Sequence, residues 1–205
     1  MIKEILIIIC AYLIGAIPFS VIISKLRGVD LTKEAVDGAR GTSLTWRKAG
    51  KIYGIIVAIL DIFKGILAVY LAKYFSGEDI VIILAGLFAI IGHNWSVYLK
   101  FTGGKGAATT GGELLYLFPR EFLIIAAGTL ILLAIERNKE YLVFLKRKFK
   151  KSNFLSGVFF FLMFFATGCL YNFSTLTFSP LIFSFPMLIK DYQIKRNERV
   201  EKKSK

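Results

Sequence analysis

The chain predicts an all-α, polytopic membrane protein with about seven transmembrane helices, and three observations carry that prediction. Of its 205 residues 56% are hydrophobic and 19 are Phe, with a mean hydropathy of +0.63, far oilier than a soluble domain of this length. Its apolar stretches approach the roughly 20 residues that a helix needs to cross a bilayer. The 27 Lys and Arg outnumber the 14 Asp and Glu, for a net charge of +13, and they cluster between those stretches. A soluble single domain is thereby excluded, and so is disorder, which cannot coexist with this much apolar surface. A disulfide scaffold is excluded by having two cysteines, Cys10 and Cys169. Both lie inside apolar runs and read as small buried side chains.

The first run, 5–23, follows Met1-Ile-Lys-Glu4. It lacks a small-residue cleavage site and exceeds the apolar core of a secretory signal, so it is expected to be a retained helix. The second, 52–74, contains Asp61 and Lys64, three residues apart on one helical face and suited to an internal salt bridge. The third is 80–99. The next two, 107–118 and 122–135, are short and separated by Pro119, Arg120 and Glu121. The sixth, 154–171, is rich in Phe, an ordinary span filler. The seventh, 173–189, holds Pro180 and Pro186. Short or proline-broken crossings survive where neighbours satisfy their backbone groups, so these are predicted to pack together.

Charge sets the orientation, because Lys and Arg accumulate on the cytoplasmic side. Segments 24–51, 100–106, 136–152 and 190–205 hold 23 of the 27 basic residues, against Lys3, Lys73 and Arg120 on the other face. This predicts an amino terminus outside and a carboxyl terminus in the cytoplasm. Merging 107–135 into one helix would put 136–152 on the wrong side. No internal repeat is visible. The organisation expected is one integral membrane domain over 1–190 and a basic cytoplasmic tail over 191–205, which is either a solvated helix end or an anchor for anionic lipid.

Two polar segments on the basic face could carry chemistry. Asp37-Gly-Ala-Arg-Gly-Thr-Ser-Leu-Thr-Trp-Arg47 offers the amides and hydroxyls of Gly38, Gly41, Thr42 and Ser43 between Arg40 and Arg47. Glycines let successive amides converge on a phosphate, and arginines bind it bidentately; the plainer alternative is an ordinary basic loop. The second segment runs from Gly92-His-Asn-Trp to Phe101-Thr-Gly-Gly-Lys-Gly106 and leads into a predicted helix. Gly103, Gly104 and Gly106 around Lys105 at a helix amino terminus make a second anion cradle, against the alternative of a simple glycine turn. The spacing is not that of a P-loop, so ATP hydrolysis is not implied. His93 is the only histidine, which removes His-rich metal sites and suits an orienting hydrogen-bond group better than a base.

These segments resemble the bacterial acyl-phosphate:glycerol-3-phosphate acyltransferases, small seven-helix membrane enzymes. The likeness covers roughly 1–135 and 154–200. It is densest at Gly15-Ala-Ile-Pro-Phe19, Gly28-Val-Asp30, Leu60-Asp-Ile-Phe-Lys-Gly65 and 92–106. The resemblance implies transfer of a fatty acyl group from acyl phosphate to the 1-hydroxyl of glycerol 3-phosphate, giving lysophosphatidic acid for phospholipid synthesis, with no acyl-enzyme, metal or cofactor. It implies an enzyme of the bacterial inner membrane whose active face is cytoplasmic, with membrane lipids and the two substrates as partners and no nucleic acid. Its catalytic set would be Lys105, Arg47, His93, Asn94 and Asn197. Phosphate would be bound by Gly38, Gly41, Thr42, Ser43, Arg47, Gly103, Gly104, Lys105 and Gly106. A net charge of +13 favours such anionic substrates.

The chain departs from the family pattern at several positions. The family's first loop reads Ser-Gly-Asn-x-Gly-Ala-Thr-Asn, and here Asp37, Ala39 and Leu44 replace its serine and both asparagines. Its His-x-x-Asn tail retains Asn197 but has Ile194 in place of the histidine. A serine of the sixth span could match Ser152 or Ser156. Two rival readings stay open: a retasked paralogue that binds phosphate or phospholipid, and a transporter component. The second would need more polar residues in the spans than Asp61 and Lys64 supply.

Overall fold

The computed structural model of the protein describes residues 1–34, 40–135, 162 and 175–203. Every regular element among them is helical, apart from one antiparallel bridge between Ser96 and Thr102. The elements are α1 (Ile2–Ala16), α2 (Phe19–Leu26), the short α3 (Leu31–Glu34), α4 (Thr42–Lys48), α5 (Lys51–Phe75), α6 (Asp79–Asn94), α7 (Ala107–Leu117), α8 (Pro119–Ile135) and α9 (Ser179–Lys203). Short 3-10 turns cover Val97–Leu99 and Thr175–Phe178. The stretches Ile2–Leu26 and Lys51–Phe75 are long and apolar enough to cross a membrane.

The first predicted span is a bent one. Proline has no N–H and its ring clashes with the carbonyl four residues back, so the helix cannot run through Pro18. Ile17 takes the extended conformation forced on a residue before proline, with φ −56° and ψ 119°. α2 then starts at Phe19. The third span is shorter than predicted, since α6 stops at Asn94 and the chain to Thr102 folds as a tight turn with Lys100 and Phe101 at positive φ, 52° and 58°. The split expected at Pro119 is present: α7 ends at Leu117 and α8 begins at Pro119. The last helix keeps Pro186 in its interior and continues unbroken past residue 190, so the expected tail boundary is no interruption of the helix. The segments 136–152 and 154–171 lie outside the described residues except for Leu162.

Glycine lets the helices approach to backbone contact. A methyl group on Gly65 of α5 would fall 2.1 Å from the Thr109 carbonyl oxygen of α7, and one on Gly112 the same distance from that of Ile62. On the other side, Gly15 and Gly92 bring α1 against α6, their would-be methyls lying 2.0 Å from the Ala89 carbonyl oxygen and 2.2 Å from that of Tyr12. Between these seams sits a small-residue core of Ala11, Ala68, Val69, Ala72, Ala85 and Ala89. A bulkier cluster of Ile83, Ile90, Leu114, Phe118 and Phe183 ties in α9. The close approach brings the middle of α5, the end of α6 and the start of α7 to one place.

Candidate functional site

The floor of that place is charged. Within α5, Lys64 Nζ lies 3.0 Å from Asp61 Oδ1, the pair the sequence spacing predicts, and both side chains are buried. Lys64 also donates to the carbonyl oxygen of Ile17 at 3.1 Å. The corner before Pro18 turns that carbonyl away from α1, so the proline break supplies the ammonium with a second oxygen. The Phe19 ring is 5.7 Å from the same nitrogen. Asp61 Oδ1 is 3.6 Å from His93 Nδ1, at the end of α6. Removing one partner of a buried pair leaves the other charge uncompensated, which costs about 3–5 kcal/mol. Asp61→Asn is therefore expected to lower the thermal midpoint in detergent, and Asp61→Asn with Lys64→Met to recover part of the loss; a double variant no more stable than the single would refute this.

The glycine turn lies over His93. Gly104 donates its N–H to the His93 carbonyl oxygen at 3.1 Å. A methyl on Gly103 would fall 2.1 Å from that oxygen, and one on Gly104 would fall 2.1 Å from His93 Nε2. Both positions require glycine for space. Gly106 caps α7 at φ +84°, the left-handed region in which glycine costs least. Asn94, fully buried, donates Nδ2–H to the carbonyl oxygen of Pro186 at 3.1 Å and fastens α6 to α9. Its Oδ1 has no hydrogen-bond partner among the described residues. Lys105 is half-exposed, and its Nζ pairs with Asp191 Oδ1 at 2.9 Å.

The first polar loop reaches this turn through Arg40. The Arg40 N–H donates to the Gly103 carbonyl oxygen at 3.0 Å, and its guanidinium donates to Thr102 Oγ1 and, at 3.2 Å, to the Thr32 carbonyl oxygen. Ser20 Oγ donates to the carbonyl oxygen of Arg40 at 2.9 Å. A methyl on Gly41 would lie 3.5 Å from Gly104 Cα, so the two glycine loops touch. Thr42 and Ser43 open α4 beside them, whereas Arg47 is exposed in its last turn, about 9 Å along the helix from Gly41 at 1.5 Å per residue. Leu44 is buried with Val21 and Leu31, an anchor that explains an apolar residue where the family pattern has asparagine. Asp37, Gly38 and Ala39 lie outside the described residues.

α9 closes the site with groups that the motifs did not single out. Lys190, 6% exposed, holds its Nζ 5.3 Å from the centre of the Trp95 ring, and Trp95 Nε1–H donates to Gln193 Oε1 at 3.1 Å. Burial, then the facing Arg40 guanidinium, pulls the Lys190 ammonium down to about 8. Asn197, one turn beyond Gln193, is exposed, while Ile194 is buried. The signal that could have found Lys190 and Asp191 is their position: they are the first charges after the last apolar run.

A small cavity lined by Ile17, Ser20, Arg40, Asp61, Lys64, His93, Ser96 and Gly103 joins the α5 pair and His93 to the first loop and the glycine turn. Beginning about one turn away on each helix, an apolar groove of about 560 Å³ runs between α1 and α5, past Ile14, Cys10, Leu6, Ala68, Leu71 and Phe75. Cations and glycine amides beside such a groove suit an amphiphile with an anionic head.

Comparison with known proteins shows what the chain is similar to. The family model described as glycerol-3-phosphate acyltransferase matches residues 5–194. A glycerol-3-phosphate acyltransferase of Thermosipho melanesiensis is 40% identical over 126 residues, 62% of this chain and 62% of that protein. One of Desulforamulus reducens is 43% identical over 124 residues, 60% of this chain and 62% of its own. The chain thus matches less than two thirds of the length of these relatives. The crystal structure of PlsY, an integral membrane glycerol 3-phosphate acyltransferase, in its glycerol 3-phosphate form superposes with a TM-score of 0.72 at 26% identity, covering 97% of this chain and 92% of that one. Its lysophosphatidic acid form gives 0.62 at 28% identity, with 97% and 89% covered.

Proposed function

The chain belongs to the glycerol-3-phosphate acyltransferase family, and on that premise we propose that it transfers a fatty acyl group from acyl phosphate to the 1-hydroxyl of glycerol 3-phosphate, releasing lysophosphatidic acid and inorganic phosphate. The observation that carries this reading is the meeting of the two glycine loops, with Arg40 N–H on the Gly103 carbonyl oxygen at 3.0 Å, beside the apolar groove. The groove takes the acyl chain, so its carbonyl carbon comes to rest near the Lys64 and His93 floor. Lys105 and the amides that open α7 face the phosphates, with Gly41, Thr42 and Ser43 opposite and Arg47 at the rim. Asp61 and Asn94 hold His93 and the turn in place, and Asn197 lies on the outward face of α9. The hydroxyl oxygen of the acceptor bonds to the acyl carbon, the bond from that carbon to the phosphate oxygen breaks, and inorganic phosphate leaves with the hydroxyl proton. Acceleration then comes from alignment of the two substrates and from fixed charges around the developing oxyanion.

The basic loops support a cytoplasmic reading of the same face, in a seven-span protein of the bacterial inner membrane with its amino terminus outside. One experiment tests function and orientation together. Inner-membrane vesicles of a host that expresses the chain are given acyl phosphate and glycerol 3-phosphate. Inverted vesicles are expected to make lysophosphatidate and sealed right-side-out vesicles to make none. Equal turnover in both would overturn the orientation. Absence of turnover in either, with the purified protein also inactive, would overturn the activity and leave a ligand-binding paralogue.

A further inference from the structure

Five cationic or basic side chains gather around the Gly103–Gly104 turn, and among the described residues two of them are given no carboxylate partner. Asp61 answers Lys64 and His93, and Asp191 answers Lys105. Arg40 and Lys190 lie near enough for each charge to oppose the other. Among the described residues the polar contacts of the Arg40 side chain are Thr102 Oγ1 and the Thr32 carbonyl oxygen, both uncharged, and its buried Nε finds no hydrogen-bond partner among them. Lys190 rests on the face of the Trp95 ring. Holding two like charges together in a largely desolvated place is unfavourable unless an anion comes between them.

We propose that Arg40 and Lys190 form the grip for the phosphate of the acceptor, glycerol 3-phosphate, with Arg40 on the first loop and Lys190 on α9 closing over the Gly103–Gly104 turn from opposite sides. The inference rests on the acyl-transfer reading and deepens it. The groove stops about one turn short of the Asp61–Lys64 pair, which directs the acyl carbonyl toward that pair and the phosphate of the donor toward Lys105. The acceptor's phosphate is separated from its reacting hydroxyl by the glycerol carbons, so it lies away from the acyl carbonyl, toward Arg40 of the first loop and Lys190 of α9. The grip substitutes for groups of the family's first loop and tail that this chain lacks, since Asp37 and Ile194 occupy those positions.

Proton linkage follows. Lys190 faces Arg40 from the first loop, His93 and Trp95 from the end of α6, and the Lys105–Asp191 pair beside it. With its ammonium pulled down to about 8, Lys190 is charged and able to hold a dianion below that pH and neutral above it. The KM for glycerol 3-phosphate is therefore expected to rise as pH passes about 8, and Lys190→Arg to move that rise to higher pH.

The test compares Arg40→Gln and Lys190→Gln with the parent in detergent, varying each substrate separately. Loss of one charge-assisted contact predicts a KM for glycerol 3-phosphate raised about tenfold or more, with the KM for acyl phosphate and kcat within about twofold. Lys190→Arg should restore the affinity, which a merely structural lysine over Trp95 would not require. An unchanged KM for glycerol 3-phosphate, or an increase confined to acyl phosphate or shared equally, overturns the grip while leaving the activity intact. If the parent shows no turnover, the acyl-transfer reading fails, and glycerol 3-phosphate binding by calorimetry decides the grip: binding weakened in both variants sustains it, and no binding by the parent overturns it.

Discussion

Lys105→Ala is expected to cut acyl transfer at least about 100-fold, the scale on which single preorganised charges contribute to a transition state. The effect is larger than the loss of one ion pair because of what stays behind. Lys105 Nζ stands 2.9 Å from Asp191 Oδ1, and Asp191 is buried. Truncation removes a cation from the phosphate and at the same time leaves a carboxylate facing it without that counter-charge. Lys105→Arg keeps the charge and should recover much of the rate. Asp191→Asn should cost far less than Lys105→Ala, since it frees the cation rather than the anion. Release of inorganic phosphate at saturating substrates measures all three, and an alanine variant within about tenfold of the parent would remove Lys105 from the mechanism.

Gly103→Ala is expected to abolish activity in a protein whose helices still form. The added methyl would sit 2.1 Å from the His93 carbonyl oxygen and 2.9 Å from that of Asn94, so main chain rather than a yielding side chain must shift. The turn would lift from α6, breaking the bond from Gly104 N–H to His93 and the one from Arg40 N–H to Gly103. Gly77→Ala is the matching control. Gly77 has φ +76° at the opposite end of α5, where the nearest atom to a methyl is 3.9 Å away, so it bears only the backbone penalty of about 1 kcal/mol and should retain activity. Circular dichroism and phosphate release on both variants check the prediction. Equal activity would mean that the turn tolerates displacement.

Much of this arrangement is legible from short-range spacing. Asp61 and Lys64 announce their pairing by standing three residues apart on one helix. The glycine turn announces itself by Gly103, Gly104 and Gly106 before an apolar helix, and the split between α7 and α8 by Pro119. The break at Pro18 could have been read from the proline alone, but the apolar composition on both sides hides it. What spacing cannot convey is who meets whom across the bundle. Lys64 finds the Ile17 carbonyl 47 positions away, Asn94 finds that of Pro186 at 92, and Trp95 finds Gln193 at 98. For the same reason Arg47, prominent in the motif, stands at the rim, and Arg40, at a variable position, reaches the turn. Lys190 and Asp191 look like the start of a solvated tail until the fold returns them to the site.

The glycine seams between α1 and α6 and between α5 and α7 bear on how such a protein tolerates change. Lipid tails are as oily as leucine, so moving a side chain from lipid into the bundle yields little, and association relies on how closely the helices fit. Volume, rather than greasiness, decides which substitutions the seams admit. On the lipid side of α5, exchanging Ile59 or Phe63 for another large apolar residue alters nothing that the fold measures. At Gly15, Gly65, Gly92 or Gly112 a single added carbon wedges two main chains apart. Sequence drift in this protein is thus free where its surface is widest and confined to hydrogen atoms along four narrow contacts.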